Sequence, residues 1–305
     1  MSQAANKKKK RLGREELTLN LMILPGMIIL IIFVFAPLVG SLMAFENYVP
    51  AKGLLKSKWV GLSNFQFIFS LPDSKQVFMN TLIIAFSKLV VNIFVPVTFA
   101  ILLNEIRVNV CKKIFQTVVY LPHFLSWVVL ATVVTNMFSL DGPINAVISA
   151  FGGNPIYFLA DNKWFRTVIV GTDVWKEFGY NSVVYLAALT GIDPGLFEAA
   201  SIDGANRFKQ ILHITVPALL PTVVLMTALN LGNILNAGFD QVFNLYNPIV
   251  YETGDIIDTY VYRVGITNMQ FSLATAAGLF KSVVSFVLVV TSYVCAYKFA
   301  DYKIF

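Results

Sequence analysis

The chain has 305 residues, of which 57% are apolar, 14% aromatic and only 13% charged, with a mean hydropathy of +0.70. Soluble domains carry about 25% charged residues, so these proportions exclude a soluble enzyme and describe an all-α polytopic membrane protein. The net charge of +6 does not point to nucleic acid, because six of the twenty-three basic residues fall in the first fourteen positions, directly ahead of an apolar run.

That basic tail, residues 1–16 with Lys7, Lys8, Lys9, Lys10, Arg11 and Arg14, reads as an orientation signal of the positive-inside kind. From Leu17 to Phe45 no charged residue occurs, a stretch too long for the core of a signal peptide, which runs to about 7–15 residues. It is expected to remain as the first transmembrane helix, in a segment 17–76 that includes an outer loop. The rest of the chain, 77–305, is expected to form the core domain.

A helix needs about 20 apolar residues to cross the hydrocarbon. Six stretches qualify: Leu21 to Phe45, Val77 to Leu103, Phe115 to Phe138, Phe165 to Leu189, Leu219 to Phe239 and Phe271 to Tyr297. With the N-terminus inside, thirteen Lys and Arg fall on inner segments and six on outer loops, which places both termini in the cytoplasm.

Charge inside a span is costly, about 2.5–3.5 kcal/mol per residue on insertion scales, so each intramembrane charge calls for a partner or a water-lined face. In the second span Lys88 is either snorkelling to the outer interface or part of a polar path. The third holds Pro122 and His123, read as a structural proline kink, followed by Trp127, a candidate residue of the polar path. Arg166 lies near the end of the fourth span and can snorkel. Deeper in that span, Asp173, Lys176, Glu177 and Tyr180 follow the i, i+3, i+4, i+7 spacing of one helical face, with Trp175 flanking it and Asn181 after it. This face is a path lined by polar, hydroxyl-binding groups with an aromatic platform, or an internal network in which Lys176 neutralises Asp173 or Glu177. The fifth span offers Asn230, Asn233 and Asn236, as path residues or interhelical glue. The sixth repeats the helical spacing with Gly278, Lys281, Ser282 and Ser285. The cations Lys88, Lys176 and Lys281 would suit an acidic substrate, or be cancelled by the carboxylates.

Between the fourth and fifth spans lies the inner loop 191–217. Asp193 before Pro194 is a helix start, with Leu196, Phe197 and Ala200 on one face of the short helix that follows. Gly204 permits a turn at positive φ. Phe208, Ile211 and Leu212 then open a second helix expected to run to Pro217.

No GxxxxGK[ST] phosphate loop, HExxH or nucleophile elbow occurs, so ATP cannot be hydrolysed by this chain alone. Cys111 and Cys295 lack a CxxC spacing, and His123 and His213 lack ligand-spaced partners; neither disulfide nor metal site is expected.

Glu198-Ala199-Ala200, Asp203-Gly204-Ala205, Ile214 and Pro217 resemble the EAA loop of permease subunits in binding-protein-dependent ABC importers. Asn80-Thr81, Leu103-Asn104-Glu105, Tyr120-Leu-Pro122, Tyr185-Leu-Ala-Ala188 and Trp59 to Phe65 extend the resemblance to the sugar-uptake branch. Tyr120 to Trp127, Trp175 to Gly179 and Asn236 to Asp240 resemble its oligosaccharide subgroup. The resemblance implies a type I importer bundle of six helices in the bacterial cytoplasmic membrane. It implies a second permease, a heterodimer being the usual case, with two ATPase subunits carrying ATP and Mg and an extracellular solute-binding protein delivering an oligosaccharide. Glu198, Ala199, Ala200, Asp203, Gly204 and Arg207 would couple the loop to the ATPase. The rival class is an ion-coupled secondary sugar carrier using Asp173, Lys176 and Glu177. Such folds carry internal repeats, and none joins the two halves of this chain.

Overall fold

The computed structural model describes residues 14–232 and 234–300. The basic stretch before Arg14, Asn233 and Lys303 lie outside the described residues. Among these, five helices are long and apolar enough to cross a membrane, and a sixth candidate, Asn162–Thr190 with Pro194–Ile202, is bent by 69°.

The first span runs Thr18–Phe45, and no residue of its most apolar stretch is buried within the chain. A helix apolar on every side suits hydrocarbon or another membrane subunit rather than a water-facing rim. It passes Pro37 by a π-turn at Ile31–Phe35, where Ala36 N donates to Ile31 O. The wider turn accommodates a proline that has no N–H of its own. Beyond it, Glu46–Asn47 pairs antiparallel with Lys58–Trp59, and Asn64 Nδ2 donates to Ala44 O and Glu46 O, both at 2.9 Å. The Trp59 to Phe65 motif thus clasps the end of the first span.

The second span, Pro72–Glu105, and the fourth, Asn162–Thr190, pack on each other more extensively than any other pair. Ile84 and Ala85 meet Phe165, Val168 and Ile169 there, joined by Ala131 and Val134 of the third span and by Ala237, Val242 and Leu245. Asn80 and Thr81 anchor the region before the sixth span. Asn80 Nδ2 donates to Glu252 O and Asp255 O, each at 3.1 Å, and Thr81 Oγ1 accepts from Ile257 N at 2.9 Å. Arg166 does not snorkel. Its Nη2 donates to Asn80 Oδ1 at 2.7 Å and its Nε to Thr253 O at 3.0 Å.

Two spans differ from expectation. The stretch Phe115 to Phe138 is not one helix: Asn109–Tyr120 ends in a 3₁₀ turn at Leu121–Phe124, and a new helix begins at Trp127 and runs to Phe138. Apolar composition gave no sign of the interruption, whereas Pro122 did. In the fifth span the helix starts earlier and stops earlier than expected, running Arg207–Leu231. A π-turn at Ile211–Thr215 carries it past Pro217, so the loop's second helix and the fifth span are one element. Gly232 and residues 234–238 are not helical, and Asn236 therefore sits in a connection rather than on the helix with Asn230. The sixth span, Phe271–Ala300, is continuous.

Candidate functional site

The loop at the end of the fourth span is built from local capping. Asp193 is extended and its carboxylate accepts from Gly195 N at 2.9 Å, opening the helix Pro194–Ile202. Gly204 follows at φ +78°, a left-handed conformation that costs an L-residue about 1–2 kcal/mol. Asn206 caps the next helix through Lys209 N. Buried Gln210 ties the two together, its Nε2 reaching Ser201 Oγ at 2.9 Å and Ala205 O at 3.2 Å. The tip is left bare: Ile202 is 87% exposed and Phe208 72%, with Leu196 and Leu212 about half exposed. Glu198, Ala199, Asp203 and Arg207 are exposed and Ala200 is half-buried.

A second polar centre lies beside the middle of the 29-residue fourth span, where the third span is interrupted. With Leu125 and Ser126 extended, His123 O loses the helical N–H it would otherwise accept from. Lys176 Nζ fills the vacancy at 2.8 Å and also meets Glu177 Oε1 at 2.9 Å. Glu177 Oε2 pairs with His123 Nδ1 at 2.7 Å, and the imidazole stacks on Tyr180 at 3.9 Å between ring centroids. Trp127 opens the second half-helix, its ring 5.9 Å from Lys176 Nζ. Lys176 is buried, while Tyr180 is 48% exposed. The result is an open aromatic surface, Tyr180 over His123, above a compensated ion pair. Asn181 stands half-buried after it.

Asp173, on the same helical face, belongs to a different cluster. Its Oδ1 lies 2.9 Å from Lys88 Nζ and its Oδ2 accepts from Asn92 Nδ2 at 3.0 Å. Lys88 is 7% exposed and directs its remaining donors to Ala237 O, at 2.8 Å, and to Gln241 Oε1. Snorkelling is thus ruled out for Lys88. Gln241 Nε2 returns to the fourth span through Ile169 O and Thr172 Oγ1. Gly238, at φ +91°, makes this approach possible, since a Cβ there would stand 2.8 Å from Lys88 Nζ.

A third region surrounds Lys281, whose Nζ meets both oxygens of Asp258 at 2.6 and 2.7 Å. The pair borders a cavity of about 1200 Å³ with Asn236, Tyr262, Gly278, Ser282 and Ser285, walled on its far side by Pro37 and Ser41 of the first span. The sixth-span residues expected to share a face do line one cavity. Trp175, by contrast, points away from the Tyr180 face into a smaller apolar hollow with Val134, Met137 and Phe138. Asn230 is exposed in the last turn of its helix, and Asn233 is outside the described residues.

Sequence reasoning missed Gln241, Asn92 and Asp258, whose roles depend on contacts with distant segments. Asp255 was missed too: it is buried and paired with Arg263. Burial works to lower the Arg263 pKa, but the hydrogen bond and charge of Asp255 outweigh it and raise it above its ordinary value. Tyr246, near the same group, is pushed up to about 12, by burial first and by Tyr251 and Asp255 after it.

A polytopic helical bundle whose fourth span bends into an exposed, apolar-tipped two-helix loop defines a transport permease, a non-catalytic membrane subunit. The chain belongs to the family of binding-protein-dependent transport system inner membrane components, whose profile matches residues 92–300. It is 41% identical over 288 residues to the polygalacturonan/rhamnogalacturonan transport system permease YteP of Bacillus subtilis, covering 94% of this chain and 90% of that one. Protein LplB of the same organism is also 41% identical over 288 residues, covering 94% of this chain and 91% of that one. Among solved structures, a chain of a bacterial ABC transporter that imports the acidic polysaccharide alginate superposes with a TM-score of 0.85 at 36% identity, over 93% of this chain and 96% of that one. A bacterial alginate ABC transporter in complex with an alginate pentasaccharide-bound periplasmic protein gives 0.84 at 36% identity, over 92% of this chain and 94% of that one. The fold is that of type I ABC importer permeases.

Proposed function

We propose that this chain is the transmembrane permease of an ATP-driven importer that carries oligosaccharides, of the acidic polysaccharide-derived kind, across the bacterial cytoplasmic membrane. The observation that carries this reading is the match along nearly the whole chain to the alginate importer's subunit, at 36% identity. The pectin-type substrate in the name of YteP supports the same sugar class.

In this reading both termini face the cytoplasm and the loop from Glu198 to Arg207 docks on an ATPase subunit. ATP and Mg are held there, on partner chains, and hydrolysis moves the loop. The bare side chains of Leu196, Ile202 and Phe208 would lie in the ATPase groove, and burying one such side chain contributes about 1.5–3 kcal/mol. The first span, unburied within the chain, would pack on a second, homologous permease. Sugar from an extracellular solute-binding protein would pass along the Tyr180 and His123 surface, with Glu177 and Trp127 at its edge, and along the cavity bordered by Asn236 and Lys281. Tyr180 offers a flat apolar face to a pyranose ring, and the neighbouring amide and ionic groups offer hydroxyl partners.

The test is reconstitution of the complex purified from native membrane into liposomes holding ATP, with the binding protein outside. ATP-dependent accumulation of galacturonate or alginate oligomers supports the proposal. Preferential uptake of neutral chains of equal length refutes the acidic class, and uptake driven by an ion gradient without ATP refutes the importer class.

A further inference from the structure

The fourth span carries two carboxylates one turn apart, and each is tied to a lysine that also reaches a backbone carbonyl at a helix interruption. Lys88 joins Asp173 to Ala237 O, in the non-helical connection before Phe239–Leu245. Lys176 joins Glu177 to His123 O, where the third span breaks. Both lysines are 7% exposed. An ammonium placed at unsatisfied carbonyls does the work of a helix C-cap, and the carboxylate beside it neutralises the charge that burial would penalise.

The donors of Lys88 are fully spent. An ammonium has three N–H groups, and those of Lys88 go to Asp173, Ala237 O and Gln241 Oε1. Lys176 uses two on Glu177 and His123 O, with its charge 5.9 Å from the Trp127 ring centroid. Between these carboxylates and Thr190 the fourth span is one unbroken helix, and the loop helix Pro194–Ile202 begins four residues after Thr190.

We infer that Lys88 and Lys176 are positioning residues rather than sugar ligands: through Asp173 and Glu177 they fasten the two interrupted segments to the fourth span, so that a displacement of the loop helix reaches both interruptions at once. The inference rests on the coupling role proposed above. It also takes Lys88 and Lys176 out of the selection of acidic sugars, which then falls to other groups or to the binding protein.

The experiment uses the complete reconstituted complex with its binding protein and acidic or neutral oligosaccharides of equal length. It compares the wild-type chain with Lys88→Met and with Lys88→Met/Asp173→Leu, the second variant removing the stranded carboxylate that could impair folding. Assembly with partners and ATP hydrolysis per complex are expected to stay within about twofold in the double variant. Uptake of both sugars is expected to fall by the same factor, about tenfold or more, as the charge-assisted bond to Ala237 is lost. Three results would overturn the inference: selective loss of the acidic sugar, which makes Lys88 a ligand; normal uptake by the double variant; or parallel loss of assembly, hydrolysis and uptake, which makes the pair merely structural. Absence of ATP-dependent uptake in the wild type would instead sink the importer reading itself.

Discussion

Replacing Gly204 by valine tests the backbone of the loop while leaving the exposed side chains of Leu196, Ile202 and Phe208 in place. A Cβ at this position has no heavy atom within 4 Å, so steric overlap contributes nothing and the effect is confined to the backbone, held at φ +78°. An L-residue in the left-handed region costs about 1–2 kcal/mol, and a β-branched one lies at the upper end. The turn is held by few bonds, chiefly Ala205 N to Ala200 O at 2.9 Å and the two from Gln210. A penalty of that size depopulates it by roughly 5–30-fold. ATP-driven uptake by the reconstituted complex should fall by up to that factor, while membrane insertion stays intact. Gly204→Asn should lose much less, because asparagine tolerates this conformation. Uptake by Gly204→Val at the wild-type rate, with the ATPase still attached, would refute the reasoning.

Asp193→Ala removes the cap of the loop helix, worth about 1 kcal/mol, and should lower co-purification of the ATPase several-fold, as read from the stoichiometry of the purified complex. Lys281→Ala strands Asp258; the cost of about 3–5 kcal/mol for a buried pair is reduced here because both side chains are about a fifth exposed. The thermal unfolding temperature should drop, and Lys281→Ala/Asp258→Ala should recover part of the loss. Tyr180→Ala should slow sugar uptake about 2- to 12-fold, the equivalent of one aromatic contact of about 0.5–1.5 kcal/mol, without changing ATPase attachment. For Tyr246, the folded pKa of about 12 lies above the ordinary 10.0, so its contribution to stability is complete below pH 10 and disappears as pH rises towards 12. The difference between spectroscopic titrations of wild type and Tyr246→Phe should contain no phenol titrating near pH 10; one titrating there in the difference would contradict the assignment.

The loop was legible from sequence because its signals are local. Asp193, Pro194 and Gly204 each specify their own backbone conformation, and all three do so in the structure. Spans were legible from composition, but their interruptions were not, because an apolar run of the right length says nothing of where its carbonyls find partners. The third span breaks where Lys176, 53 residues further on, can replace the missing helical donor. The fourth span's spacing put Asp173, Lys176, Glu177 and Tyr180 on one face, and left open which carboxylate Lys176 would neutralise. Glu177 takes it, because Lys88 arrives from the second span to claim Asp173. Trp175 was grouped with that face by adjacency in sequence, yet a step of one residue turns a helix by about 100°, and its ring enters the apolar hollow.

The most direct test of the account is sugar accumulation in liposomes containing the complex purified from native membrane, measured with ATP held constant while ionophores collapse every ion gradient. The account predicts that an ATPase co-purifies and that accumulation continues undiminished. Accumulation that stops with the gradient while ATP remains would contradict it and favour an ion-coupled carrier.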